Sequence, residues 1–347
     1  MARNDQSEGA SSSWLELAPI HSMDTVLAVR NREDPSEMTS QNPNLDLVFV
    51  KNCSFVSQHF LELSPRDACI PWQSSSNWSN NSSVLVSSKK FLIATGASPI
   101  VPKHLEIAAQ ESKVPMFTYR TVLQPSEMNH TGSIWNILQS SNATNVRNLV
   151  IAGGGPTACE LGQSLARLCG SNVNITIVAP EILKDYDVSL RRAAMKVLTN
   201  DGITLLLRSR VTSIIHRQGS GAFVELDNGR YSLHVDALLL CLGRSPERSL
   251  SSLSLHAAGV KWNATTGIEV DKSTLRSVTA SNVFACGDCC DQVKERRAAH
   301  AAWTGFHAAR NTILPFWLRM GSQAIHSAVP AVIYTDPELA QVGRSYS

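Results

Sequence analysis

The stretch Asn148-Leu-Val-Ile-Ala-Gly153-Gly154-Gly155-Pro156-Thr157-Ala158-Cys159-Glu160-Leu161-Gly162 decides how this chain reads. An apolar, strand-like run enters a G-x-G-x-x-A turn and leaves it in a helical pattern over residues 157–168. Gly153 permits the tight turn, Gly155 lets backbone approach a pyrophosphate, and the small Ala158 lets helix and strand pack closely. The start of such a helix leaves backbone N–H groups aimed at phosphates. An ordinary Gly-rich turn is the bland alternative. The strand before, the helix after and a second apolar strand at 174–178 favour dinucleotide binding instead. The candidate contacts are Gly153, Gly154, Gly155, Pro156, Thr157, Ala158 and Cys159.

The end of the second strand chooses between the two nicotinamide nucleotides, because an acid there binds ribose hydroxyls and an Arg accommodates a 2′-phosphate. This chain reads Val178-Ala179-Pro180-Glu181-Ile182-Leu183-Lys184, which meets neither rule. Glu181 falls two residues late for the ribose, and Lys184 offers only a point charge. Ala179 joins the candidate contacts, and the cofactor stays open as NAD(P)H.

Further strand-like runs cover 84–95, 237–242 and 282–286, and a second helical pattern covers 188–200, closed by Asp201-Gly202. Strand alternating with helix predicts an α/β fold with a doubly wound parallel sheet. Three of the strands end in small residues or glycine: Lys89-Lys-Phe-Leu-Ile-Ala94-Thr95-Gly96-Ala97-Ser98-Pro99, Val235-Asp-Ala-Leu-Leu-Leu-Cys-Leu-Gly243-Arg244-Ser245-Pro246, and Val283-Phe-Ala285-Cys286-Gly287-Asp288. In the last, Gly287 would let a ligand approach and Asp288 would accept hydrogen bonds from sugar-type hydroxyls.

A length of 347 residues predicts about two domains. The apolar share of 43% and charged share of 17% fit a folded globular protein. With 31 Lys and Arg against 29 Asp and Glu, the net charge of +2 is too balanced to drive nucleic-acid binding. No apolar run approaches the roughly 18 residues of a membrane helix. Neither a secretory signal nor a transit peptide is visible, so a cytoplasmic location is expected, and the Asn-x-Ser/Thr triplets read as chance matches. The eight cysteines, several inside apolar runs, read as reduced core residues. Residues 1–44 are rich in Ser, Asn and acids and offer little core; 45–50 alternate like a strand, and 72–83 read as a long polar hairpin loop.

Taken together, these segments resemble the pyridine nucleotide-disulfide oxidoreductases, the flavoprotein family of glutathione reductase, lipoamide dehydrogenase and mercuric reductase. The resemblance covers residues 45–345. It rests on the strand ends above, the glycine turn, His300-Ala-Ala, and Val329-Pro-Ala-Val-Ile-Tyr-Thr-Asp-Pro-Glu-Leu-Ala-Gln-Val-Gly343, whose wording is nearest to the mercuric reductase branch. It implies two interleaved Rossmann-like domains: an FAD domain split between 45–145 and 261–327, an NAD(P) domain at 146–260, and the start of a dimerisation domain at 328–347. It implies hydride transfer from NAD(P)H to FAD, and onward to a small-molecule electron acceptor such as a disulfide or metal ion. Thr95, Gly96, Gly287 and Asp288 would then lie along FAD, Glu160 near the nicotinamide, and Gly243 along its nucleotide. A homodimer is implied for the intact family and is doubtful for this chain.

Two family signatures are not written in this sequence: the N-terminal FAD-binding G-x-G-x-x-G and the C-x-x-x-x-C redox disulfide. Residues 1–44 hold no cysteine, and the first is Cys53. The expectation is a fragment with an incomplete FAD domain and no catalytic residues of its own, which purifies without stoichiometric flavin and reduces neither disulfides nor mercuric ion. A non-catalytic dinucleotide-binding module is the competing reading, and a lipoamide dehydrogenase-like or glutathione reductase-like fragment is another. Cys286-Gly-Asp-Cys289-Cys290 contains C-x-x-C, but its middle is the flavin segment itself and no second pair completes a zinc site. Cys53 and Cys69 are too far apart in sequence to form the missing pair. His300 on an apolar helix reads as satisfied core, and Lys294-Glu-Arg-Arg297 as a solvated loop.

Overall fold

The computed structural model describes residues 52–64, 84–123, 133–139, 146–227, 229–291, 296–319 and 330–343. The readings of 1–44, 45–50 and 72–83, and of Cys69, fall outside the described residues.

The described chain opens with an antiparallel meander of β1 (Asn52–Ser57), β2 (Phe60–Ser64) and β3 (Val84–Ser87). The strand expected over 84–95 is broken in two. The Ser88 hydroxyl donates to Lys90 O and accepts from Lys90 N, which turns the chain so that β4 (Phe91–Ile93) leaves the meander. Next come β5 (Ser98–Pro99), α1 (Lys103–Glu111) and β6 (Met116–Thr118).

The glycine turn sits in β7 (Arg147–Ala152), α2 (Pro156–Cys169), β8 (Val173–Ala179), α3 (Val188–Asn200) and β9 (Thr204–Leu207). The helical pattern at 188–200 matches α3, whose first turn is capped by the Asp187 carboxylate on Ser189 N at 2.8 Å. A second meander, β10 (Val211–Arg217), β11 (Gly221–Leu226) and β12 (Tyr231–His234), precedes β13 (Ala237–Leu240). The chain then runs through β14 (Arg244–Ser245), β15 (Trp262–Asn263), β16 (Gly267–Ile268), β17 (Val283–Ala285), α4 (Ala298–Ile313), β18 (Ala331–Ile333) and β19 (Leu339–Gln341).

One parallel sheet has the order β6-β13-β7-β8-β9. Its central strands are buried on both faces, as parallel strands between helices must be. Leu149 and Ile151 point into a core with α2 and α3, and Val150 and Ala152 into a core with Leu105 of α1 and Ile214 of β10. The sheet reaches N-terminally of residue 146, because β6 is one of its edges. Strand order reverses between β7 and β13, and the crevice outside the carboxyl ends there is where open α/β sheets bind ligands. A second parallel pair, β4 with β17, carries Ile93, Val283 and Ala285 into a separate core with Phe55 and Leu61 of the first meander. Among the described residues no helix is long and apolar enough to cross a membrane.

Candidate functional site

The two halves of the site are built on strand ends that glycine lets turn sharply. At Gly153, φ is +120°, and a Cβ would stand 2.2 Å from the Cys241 carbonyl oxygen at the end of β13. Only glycine fits where the two strands of the switch point meet. A Cβ on Gly154 would collide with Glu181 O at 2.2 Å, and Leu183 N–H donates back to Gly154 O at 2.7 Å. Gly155 is different: it has φ −79°, caps α2 and faces open space, with nothing within 4 Å of a Cβ. The loop after β8 therefore backs the turn from one side, and Gly155 presents the start of α2 on the other. Pro156 holds the first helical position, where a missing N–H costs nothing.

Ala158, Cys159 and Ala179 are wholly buried. Their side chains close the helix and loop onto the sheet rather than face the open side of Gly155. The Glu160 carboxylate accepts from Tyr334 N–H at 3.0 Å, and Gln163 exchanges two hydrogen bonds with the Asp336 backbone at 2.8 and 2.9 Å. The segment at 330–343 is thus strapped along α2, with Ala331 and Ile333 in the nucleotide-side core. Past β8, Glu181 is exposed and bonds to Arg191 of α3 at 2.5 Å, while Lys184 is also exposed.

At the turn after β17, Asp288 is 7% exposed and pairs through Oδ2 with Arg244 Nη1 at 2.6 Å. Its Oδ1 is buried with no hydrogen-bond partner among the described residues. Burial raises the Asp288 carboxyl above its usual range, and Arg244 and then Arg296 pull it back down. Thr95 has its hydroxyl buried beside the Cys289 thiol. The Gly96 carbonyl accepts the Ser249 hydroxyl at 2.9 Å, and that of Gly243 accepts Ile100 N–H at 3.0 Å, so both strand ends are tied to β5 and its neighbourhood.

In its Cβ direction Gly287 packs on α4: a Cβ there would lie 3.3 Å from Ala301, and the Gly287 N–H goes to Thr304 Oγ1 at 2.9 Å. Its glycine serves φ +67° and the packing of α4. The reading of Lys294-Glu-Arg-Arg297 as a solvated loop is corrected at Arg296 and Arg297, Lys294 and Glu295 lying outside the described residues. Arg296 is half-buried and donates to four backbone carbonyls, and Arg297 lies 5.1 Å from the Tyr186 ring centroid. A charge run reads as solvent-facing from sequence because its carbonyl partners lie in three distant segments.

The described cysteines are all free, and most are buried. Burial pushes the Cys53 thiol up to about 11 and those of Cys159, Cys241 and Cys286 up to about 12. Cys289 Sγ donates to Cys286 O at 3.1 Å and Cys290 Sγ to Gly287 O at 3.2 Å, so the C-x-x-C segment directs its thiols onto carbonyls. Among the described residues no group of three or more His, Cys, Asp or Glu is placed to hold a metal ion. His300 is buried on α4, the helix that packs against the turn after β17.

A parallel α/β sheet with its glycine turn at the switch point defines a dinucleotide-binding fold. The pyridine nucleotide-disulphide oxidoreductase family model matches residues 61–305, and the chain belongs to that family. Its members are FAD-dependent and take electrons from NAD(P)H. The chain is 31% identical over 256 residues to a mercuric reductase from Acidithiobacillus ferrooxidans, covering 73% of this chain and 40% of that one. It is 28% identical over 260 residues to a dihydrolipoyl dehydrogenase from Geobacillus stearothermophilus, covering 74% and 47%. The chain thus spans less than half the length of these relatives. Among solved structures, the Cu(II) complex of the HOCl-induced flavoprotein disulfide reductase RclA from Escherichia coli shares the fold, with TM-score 0.63, 22% identity and coverage of 84% and 56%. LpdA from Mycobacterium tuberculosis follows with TM-score 0.59, 22% identity and coverage of 86% and 55%.

Proposed function

We propose that this chain carries the nicotinamide-nucleotide site and part of the flavin site of an FAD-dependent NAD(P)H oxidoreductase of the mercuric reductase-like type, whose electrons pass to a small disulfide or metal-ion acceptor. The observation that carries the reading is the open start of α2 at Gly155, set at the switch point of a parallel sheet. The first amides of a helix have no partner within it, and they receive a pyrophosphate there. Gly153, Gly154, Pro156, Thr157, Ala158, Cys159 and Ala179 shape that turn, and Glu160, one turn into α2, and Gly243, just past β13, are assigned to the nicotinamide and its nucleotide.

The flavin-side residues fit FAD: a buried carboxylate oxygen without a partner, Asp288 Oδ1, is an acceptor waiting for a hydroxyl donor. Bound there, FAD supplies the two-electron acceptor for hydride from the nicotinamide. Asp288 would hold the hydroxyl, Thr95, Gly96 and Gly287 would turn the strand ends around it, and Arg244 opposes the upward push of burial on the carboxyl. We place the FAD domain at 45–145 and 261–327 and the nucleotide domain at 146–260, with β6 added to the nucleotide sheet.

A second reading, a dinucleotide-binding module without thiol chemistry, is favoured by the cysteines. Thiols pushed to about 11 or 12 are protonated near neutral pH, and the thiolate is the nucleophile. Fluorescence titration with NADH and NADPH tests the shared core of both readings. Gly155→Val is expected to weaken binding at least about tenfold by filling the approach of the pyrophosphate. Unchanged affinity in that variant removes the assignment.

A further inference from the structure

Arg296 reaches across three segments that are far apart in sequence. Its Nε donates to Asp288 O at 3.2 Å, Nη1 to Arg244 O at 3.1 Å, and Nη2 to Thr265 O at 2.9 Å and Thr266 O at 3.5 Å. The first two acceptors are the main-chain carbonyls of the two residues whose side chains form the ion pair of the flavin-side site. A planar guanidinium with five donors in a fixed fork spans these carbonyls, and an ammonium with donors at one point does not.

We propose that Arg296 is a positioning residue: by fastening the backbone of Asp288 to that of Arg244, it commits Asp288 Oδ2 to Arg244 and reserves Asp288 Oδ1 for a hydroxyl donor of the flavin. The proposal rests on the reading of Asp288 as a flavin-site residue. The charged and titratable groups around this carboxylate are Arg244 from β14, Arg296 ahead of α4, the thiols of Cys289 and Cys290 on its own turn, and His300 on the helix packed against it. The two arginines oppose the effect of burial on Asp288. Removing the charge of Arg296 therefore moves the Asp288 titration upward, an effect that loss of packing alone does not produce.

The test uses the full chain labelled with 13C in its Asp carboxyls, the Asp288 signal being assigned by its loss in Asp288→Asn. Without ligand, Arg296→Gln is expected to raise the Asp288 midpoint, and Arg296→Lys, which keeps the charge, to leave it near wild type. Titration of the same proteins with FAD, followed by flavin fluorescence, is expected to show about tenfold weaker binding for both variants, since both lose the fork. An unshifted midpoint in Arg296→Gln, or wild-type FAD affinity in Arg296→Lys, overturns the proposal. Should Arg296→Gln fail to fold, the Lys variant decides by its FAD affinity alone. A wild-type chain that binds no FAD while the midpoint shift is present overturns the flavin reading and upholds the positioning of the carboxylate.

Discussion

The five-stranded sheet around β7 and the β4–β17 pair are both parallel, and both end in a glycine turn beneath a helix, yet among the described residues they differ in extent. In the larger sheet every central strand has a neighbour on each side, and both faces are covered. In the pair, two strands of three residues face a core shared with an antiparallel meander. Parallel pairing is stable when flanked and buried, so the larger sheet holds its glycine turn by strand packing and by main-chain hydrogen bonds from its own loop, Leu183 N–H to Gly154 O and Gly153 N–H to Val178 O. The smaller unit relies on polar ties: Arg244 and Arg296 around Asp288, and Thr304 on Gly287. Packed strands and main-chain bonds set one site, and a network of side-chain hydrogen bonds and ion pairs sets the other.

That contrast can be broken most severely at Gly153. A side chain there meets the Cys241 carbonyl at 2.2 Å in a backbone conformation that L residues rarely adopt. Gly153→Val is expected to cost about 4 kcal/mol in denaturant unfolding. Gly155→Val, two residues on, is expected to cost under about 1 kcal/mol while losing nucleotide. Equal destabilisation by the two would show that the turn is not pinned against β13.

The next effect acts on both regions through pH. Cys159 in α2 and Cys241 just past β13, both against the larger sheet, and Cys286 at the end of β17 carry thiols raised from 9.0 to about 12 by burial. The folded protein holds these protons more tightly than the unfolded chain does. Stability from this source is therefore fully present below pH 9.0 and is lost as pH rises toward about 12. Thermal midpoints measured from pH 8 to pH 11 are expected to fall, and replacing Cys159 by Ala is expected to flatten the fall. A flat profile in the wild type would place these thiols in water.

Thr304→Val sharpens the comparison with the smallest change. The hydroxyl that receives the Gly287 N–H is replaced by a methyl of similar volume, so a buried donor is left unmatched. The expected cost is about 1–3 kcal/mol, with FAD binding weakened alongside it and NAD(P)H binding unchanged. Loss of both affinities together would mean that the two sites are not held by separate means.

Much of the larger site was legible in the sequence because its determinants are local. The run from Asn148 to Gly162 contains its own strand, turn and helix, and 188–200 carries both its period and its stop. The break at Ser88 was not legible, since a short side chain bonding two residues on leaves the apolar pattern intact. Nor was the placement of β6, a three-residue strand whose identity comes only from pairing with β13. Arg296 was misread because a cation between acids and cations looks solvated until the carbonyls of residues 244, 265 and 266 are brought to it.

The sequence by itself determined that this chain is an α/β protein of the pyridine nucleotide-disulfide oxidoreductase family with a glycine turn between strand and helix, because steric demand and apolar period are written in consecutive residues. Only the tertiary structure decided which oxygen of Asp288 is spent and which is kept, that Gly287 serves α4, and that residues 330–343 lie along α2. Hydrogen bonds between distant segments have no period and no spacing, and they exist only once folding has brought donor and acceptor within about 3 Å of each other.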